Sequence, residues 1–80
     1  MIKPILRMAA IKGITGLCDS TIYLHIQQGL WPKGINLGPR AVGWPSDEVE
    51  AVIAARTAGK GEAEIRSLVS SLVAARSRAA

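Results

Sequence analysis

Residues 30–45, LWPKGINLGPRAVGWP, constrain the chain more than any other stretch. Ile35 and Leu37, then Val42 and Trp44, recur at strand period, with Asn36 and Gly43 on the other face. GPRA at 38–41 is a four-residue loop, with Pro39 preset for a turn and Arg40 at its tip. The segment predicts a small two-stranded wing whose apolar face is turned to helices. A lone hairpin is marginal in water, so that face must be covered. Trp31 and Trp44 are the expected packing partners.

The flanking sequence supplies the helices. MAAIKGIT at 8–15 has Met8, Ile11 and Ile14 at inward-facing spacing. TGL at 15–17 is a turn, in which Gly16 takes a backbone conformation closed to other residues and Leu17 returns to the core. A second helix is expected from about Asp19 to Gln28, stopping at Gly29. After the hairpin, closed by Pro45, Ser46 is expected to cap a third helix with Asp47 and Glu48 in its first turn. Val49, Val52, Ile53 and Arg56 mark its period.

TAGKG at 57–61 reads as a flexible break, and 62–78 as a last helix with Glu residues at its start and Arg76 and Arg78 at its end. Ile65, Leu68, Leu72 and Ala75 form its apolar seam, widened by Val69 and Val73. The fold class is mostly α with a small β-hairpin wing: a winged helix-turn-helix over 1–56 plus a C-terminal helix over 62–78. That helix either covers its own domain or pairs with a second copy as a homodimer. Two heptads are too short to pair stably alone.

Eighty residues allow one small domain. The single Cys18 cannot form an internal disulfide, and is expected to be a buried or half-buried small apolar residue in a reducing cytosol. Lys3, Pro4, Arg7 and Lys12 interrupt any signal-peptide core, and no apolar run approaches the about 20 residues that cross a bilayer. One His, one Cys and acids placed mostly at helix starts offer no convergent acid, base or metal set. No enzyme, cofactor or metal is expected, and His25 is expected to be a partly buried structural residue.

The charge is uneven. Residues 1–45 hold five basic groups (Lys3, Arg7, Lys12, Lys33, Arg40) against Asp19 alone, whereas 46–80 balance five with five. The whole excess of +4 therefore lies in the N-terminal half. It suits a polyanionic partner there, although solubility alone accounts for a charge of this size. Within this half the second helix is peculiar. Opposite Ile22 and Ile26 it shows Ser20, Leu24 and Gln27, with Tyr23 at the edge and no charge.

Residues 15–56 resemble the AlpA-type phage and prophage regulators, which belong with excisionase and MerR-like winged-helix DNA-binding domains. STIY at 20–23, Gly29 and Pro32 followed by Lys33, and LGPRAVGW at 37–44 carry the resemblance. It implies sequence-specific binding of duplex DNA, with the second helix in the major groove and wing residues 35–44 on the backbone or minor groove. Short polar side chains and a flat aromatic can meet base edges without a charge of their own.

On that reading Ser20 and Thr21 meet phosphate or bases, Tyr23 offers its hydroxyl to phosphate, Leu24 touches a thymine methyl and Gln27 reads adenine. Arg40, Lys33, Lys12 and Arg7 are the phosphate candidates. Asp19, Leu24 and Gln27 stand where the family usually has basic residues. Cys18 replaces the usual capping Ser, so Asp19 is expected to cap the helix.

The resemblance implies a cytoplasmic, nucleoid-associated regulator of a phage or integrated element, with integrase or RNA polymerase as further partners. Alternatives are an excisionase-type directionality factor that bends attachment-site DNA and a small terminase-like subunit. A module for protein interaction, anchored by Tyr23 and Leu24, is the reading from a different class.

Overall fold

A computed structural model describes residues 4–78, apart from the side chain of Arg78, so Lys3 lies outside the described residues. The chain runs β1 (Ile5–Arg7), α1 (Met8–Thr15), α2 (Asp19–Gln27), β2 (Ile35–Gly38), β3 (Ala41–Pro45), α3 (Ser46–Thr57) and α4 (Glu62–Arg78). This is a mostly helical winged helix-turn-helix with one addition to the expected wing. The sheet has three antiparallel strands in the order β1-β3-β2.

β1 pairs Ile5 with Pro45, Leu6 with Trp44 and Arg7 with Gly43. The Ser46 amide extends the ladder by donating to the Pro4 carbonyl at 2.9 Å. The added strand gives the marginal hairpin a third member and ties the segment before α1 to it.

The turn between α1 and α2 follows from its residues. Gly16 sits at φ 72° with its amide on the Lys12 carbonyl at 2.8 Å. Thr15 Oγ1 donates to the Ile11 carbonyl at 2.8 Å and accepts the Leu17 amide at 3.2 Å. Leu17 packs on the core, as expected. α2 ends at Gly29 (φ 78°), where the Leu30 amide reaches the His25 carbonyl at 2.8 Å and the Gly29 amide the Ile26 carbonyl at 3.1 Å. Gly59 (φ 79°) ends α3 in the same pattern, with the Lys60 amide on the Ala55 carbonyl at 3.1 Å and its own on Arg56 at 3.0 Å.

Every layer contributes to the core: Ile11 from α1, Ile22 from α2, Trp44 from β3, Val49 and Val52 from α3, Ile65 and Val69 from α4, with Leu30 and Trp31 from the loop between. Trp44 is fully buried and its indole N–H donates to the Pro32 carbonyl at 2.8 Å. Leu72 and Val73 also pack against the core, so the apolar seam of α4 is used within the chain. Ala75, at the far end of that seam, is exposed.

Several local expectations are corrected. The register sets Ile35 opposite Gly43 and Asn36 opposite Val42. Cross-strand partners share a face. Ile35 therefore lies on the face of Gly43, and Asn36 shares the face of Val42 and Trp44. Leu37 belongs with Ile35, since a Cβ on Gly43 would stand 3.0 Å from Leu37 Cδ1. A bulge follows, because the Asn36 carboxamide accepts the Gly38 amide at 3.0 Å and shifts the pairing by one residue.

Ile14 is half exposed rather than inward, at the mouth of a cavity of about 250 Å³ that Leu17, Trp31 and Ile53 also line. Pro45, not Ser46, occupies the cap position of α3 without a side-chain hydrogen bond. Glu48 is no solvated helix-start charge. It is 5% exposed, and Arg76 of α4 donates to both its carboxylate oxygens, through Nε at 2.9 Å and through Nη2.

Candidate nucleic-acid interface

α2 buries Ile22 and half-buries Ile26, which fixes the opposite side outward. Ser20 and Gln27 are exposed, Thr21 is half-buried, and Tyr23 and Leu24 are 51% and 49% exposed. An exposed Tyr and Leu side by side on a helix of so small a protein form an uncharged surface that its core has no use for.

Arg7 and Arg40 approach this surface from two other elements. Together with Tyr23, Met8 and Val42 they line a cleft of about 300 Å³ between α2 and the wing. Arg7 ends β1, and its Nε donates to the Val42 carbonyl at 3.1 Å, which holds the side chain against the wing. Arg40 is the only described residue other than glycine with positive φ, at 59°. Pro39 before it fits the first central position of a turn whose second central residue takes this φ. Holding a non-glycine residue there costs about 1–3 kcal/mol.

The other candidates do not line that cleft. Lys12 is exposed and bonded to Asp19 at 2.8 Å, a pair that joins α1 to the start of α2. Hydrogen bonding within it raises the Lys12 ammonium above its usual range and holds the Asp19 carboxyl below its own. Asp19 therefore does not cap α2. Cys18 occupies the cap position, makes no side-chain cap bond, and is exposed rather than buried. Its Sγ lies 3.3 Å from Ser20 Oγ and 3.2 Å from Thr21 Oγ1. Hydrogen bonds from these hydroxyls stabilise a thiolate and bring the Cys18 pKa down to about 7.

Lys33 is exposed in the loop before β2. His25 is half-buried, with Nδ1 3.3 Å from Arg56 Nη2. Burial first, then the Arg56 charge, lowers its pKa and favours the neutral ring.

Sequence reasoning had no route to the arginines behind α2. Arg66 Nε donates to the Gln28 carbonyl at 2.8 Å, Arg56 Nη2 to Leu30 at 3.3 Å and Arg76 Nη2 to Lys33 at 2.9 Å. These pairs lie 26 to 43 positions apart, beyond the reach of any local pattern. Among the described residues there is no cluster of three or more metal-ligating side chains, and no helix is long and apolar enough to cross a membrane.

A family model matches across both the cleft and α2. The model of a family described as prophage CP4-57 regulatory protein (AlpA) matches residues 4–57, more than half of the chain. A protein of Enterobacteria phage P4, described as uncharacterized protein ORF88, is 40% identical over 55 residues. The aligned part is 69% of this chain and 62% of the phage protein, so the chain spans less than two thirds of that relative.

Proposed function

The chain belongs to the AlpA family of prophage regulatory proteins, and we propose that it regulates transcription of a phage or integrated element by binding duplex DNA sequence-specifically. One observation carries this reading. Tyr23 of α2, Arg7 of β1 and Arg40 at the wing tip flank a single cleft beside an uncharged, exposed helix face. Cations that flank a neutral reading surface suit DNA, in which phosphates position a protein and base edges specify the site.

In this arrangement α2 enters the major groove. On this reading Gln27 reads adenine, Leu24 meets a thymine methyl, and Ser20 and Thr21 meet phosphate or base at the helix start. Arg40 and Arg7 hold the flanking backbone, with Lys33 adding charge. Lys12 contributes least, because Asp19 neutralises it. No chemistry on the DNA is part of this reading.

The test separates the two classes of contact. Arg40→Ala should weaken binding to all duplexes alike and reduce the salt slope by about one, whereas Gln27→Ala should relax discrimination at one base pair by about 1–3 kcal/mol. Unchanged affinity in both variants would sink the reading. Bend angle, read from circular-permutation mobility of the bound duplex, together with cooperative filament formation along it, distinguishes a regulator from a directionality factor.

A further inference from the structure

The connection from α2 to β2 spans residues 28–34, and three arginines hydrogen-bond its carbonyls: Arg66 at Gln28, Arg56 at Leu30 and Arg76 at Lys33. A guanidinium bonded to a carbonyl is a charge-assisted contact with directional preference. The Arg66 stem also lies along Gly29, where a Cβ would stand 3.5 Å from Arg66 Cγ, and Glu62 lies 3.7 Å from its guanidinium one helical turn away. Arg76 is anchored in turn by buried Glu48 of α3. Ile65 and Val69 set α4 into the core, so the positions of Arg66 and Arg76 are fixed by packing. Both arginines lie beyond residue 57, where the family match ends.

We propose that α4 is a brace on the α2–β2 connection, and that Arg66 and Arg76 are positioning residues that set the recognition helix relative to the wing. The inference rests on the DNA-binding reading above for its consequence, not for its geometry. Base readout by α2 and backbone contact by the wing must be satisfied in one pose. A connection held at three carbonyls restricts the two elements to that pose, and a loosened one lets each bind without the other. Specific binding then suffers, while non-specific attraction to phosphate does not.

Arg66→Met tests this, because it keeps the stem on Gly29 and removes the hydrogen bond and the charge at an exposed site. A duplex selected by the wild-type chain from a random pool, and its scramble, serve as probes at two salt concentrations. Amide hydrogen exchange is followed without DNA. The expected result is at least tenfold faster exchange at Gly29 and Leu30 with α1 unchanged. Affinity for the selected duplex should fall about tenfold, with affinity for the scramble and the salt slope unchanged.

Equal losses on both duplexes with a slope smaller by about one would make Arg66 a phosphate contact and overturn the proposal. Unchanged exchange would overturn it too. Should the wild-type chain select no duplex, the DNA reading fails on that result, while the exchange data still decide the brace. Glu48→Leu with Arg76→Met removes the second strut without stranding a buried charge, and should speed exchange near Lys33 in the same way.

Discussion

Arg76→Met is the substitution whose effect on stability the structure determines most fully. The Glu48 side chain is 6% exposed and that of Arg76 21%, and the arginine gives the carboxylate two hydrogen bonds. Methionine keeps most of the stem volume but leaves the carboxylate buried without its counter-charge. Breaking such a pair from one side costs about 3–5 kcal/mol, and the lost bond to the Lys33 carbonyl adds about 1. A folded domain holds about 0.05–0.15 kcal/mol per residue, so an 80-residue chain has roughly 4–12 kcal/mol in all.

For a domain of this size each kcal/mol moves Tm by about 4–8 °C, so the variant should melt at least roughly 15 °C lower, or fail to fold. Glu48→Leu with Arg76→Met should recover most of that loss, since replacing both members of a buried pair by apolar groups is close to neutral. Thermal unfolding of wild type, both single variants and the double variant completes the cycle. A Tm for Arg76→Met within a few degrees of wild type would refute the claim that this pair bolts α4 to α3.

Gly43→Ala should destabilise the sheet by about 1–3 kcal/mol, because the new Cβ runs into Ile5 and stands 3.2 Å from the Leu6 carbonyl; chemical denaturation measures it. Stability should also depend on His25. Its folded pKa is lowered, so the unfolded chain takes up the proton first and stability falls as pH drops below about 6.5. His25→Gln should flatten that part of the Tm–pH profile. Alkylation of Cys18 should reach half its maximal rate near pH 7. Ser20→Ala with Thr21→Val should move that midpoint upward, as the hydroxyls that favour the thiolate are removed.

Elements whose signals are local were legible in the sequence. Gly16 and Gly29 marked the turn and the end of α2, and Pro39 with Arg40 marked the wing tip. Features that depend on distant partners were not. β1 is three residues long and becomes a strand only by pairing with β3, nearly forty positions away. Glu48 looked like an ordinary first-turn acid because the residue that buries it lies 28 positions on. The faces of the hairpin do not follow from strand period, which gives alternation without register, and Asn36 shifts the register through its own side chain. Cys18 looked apolar by type, but its place at the start of an exposed helix leaves it open.

The candidate interface divides along the same line. The exposed face of α2 follows from helical spacing, whereas the meeting of Arg7, Tyr23 and Arg40 needs the third strand and the wing together.

The most direct test of the central claim is the salt dependence of affinity for a selected duplex and its scramble, read by fluorescence anisotropy. If Arg7, Lys33 and Arg40 each neutralise a phosphate, the slope of log K on log salt is about −2.7, so affinity falls roughly fortyfold between 50 and 200 mM salt. The account predicts that slope on both duplexes, with markedly tighter binding to the selected one. Equal binding to both duplexes, or an affinity indifferent to salt, would contradict it and make Tyr23 and Leu24 the anchors of a protein interface.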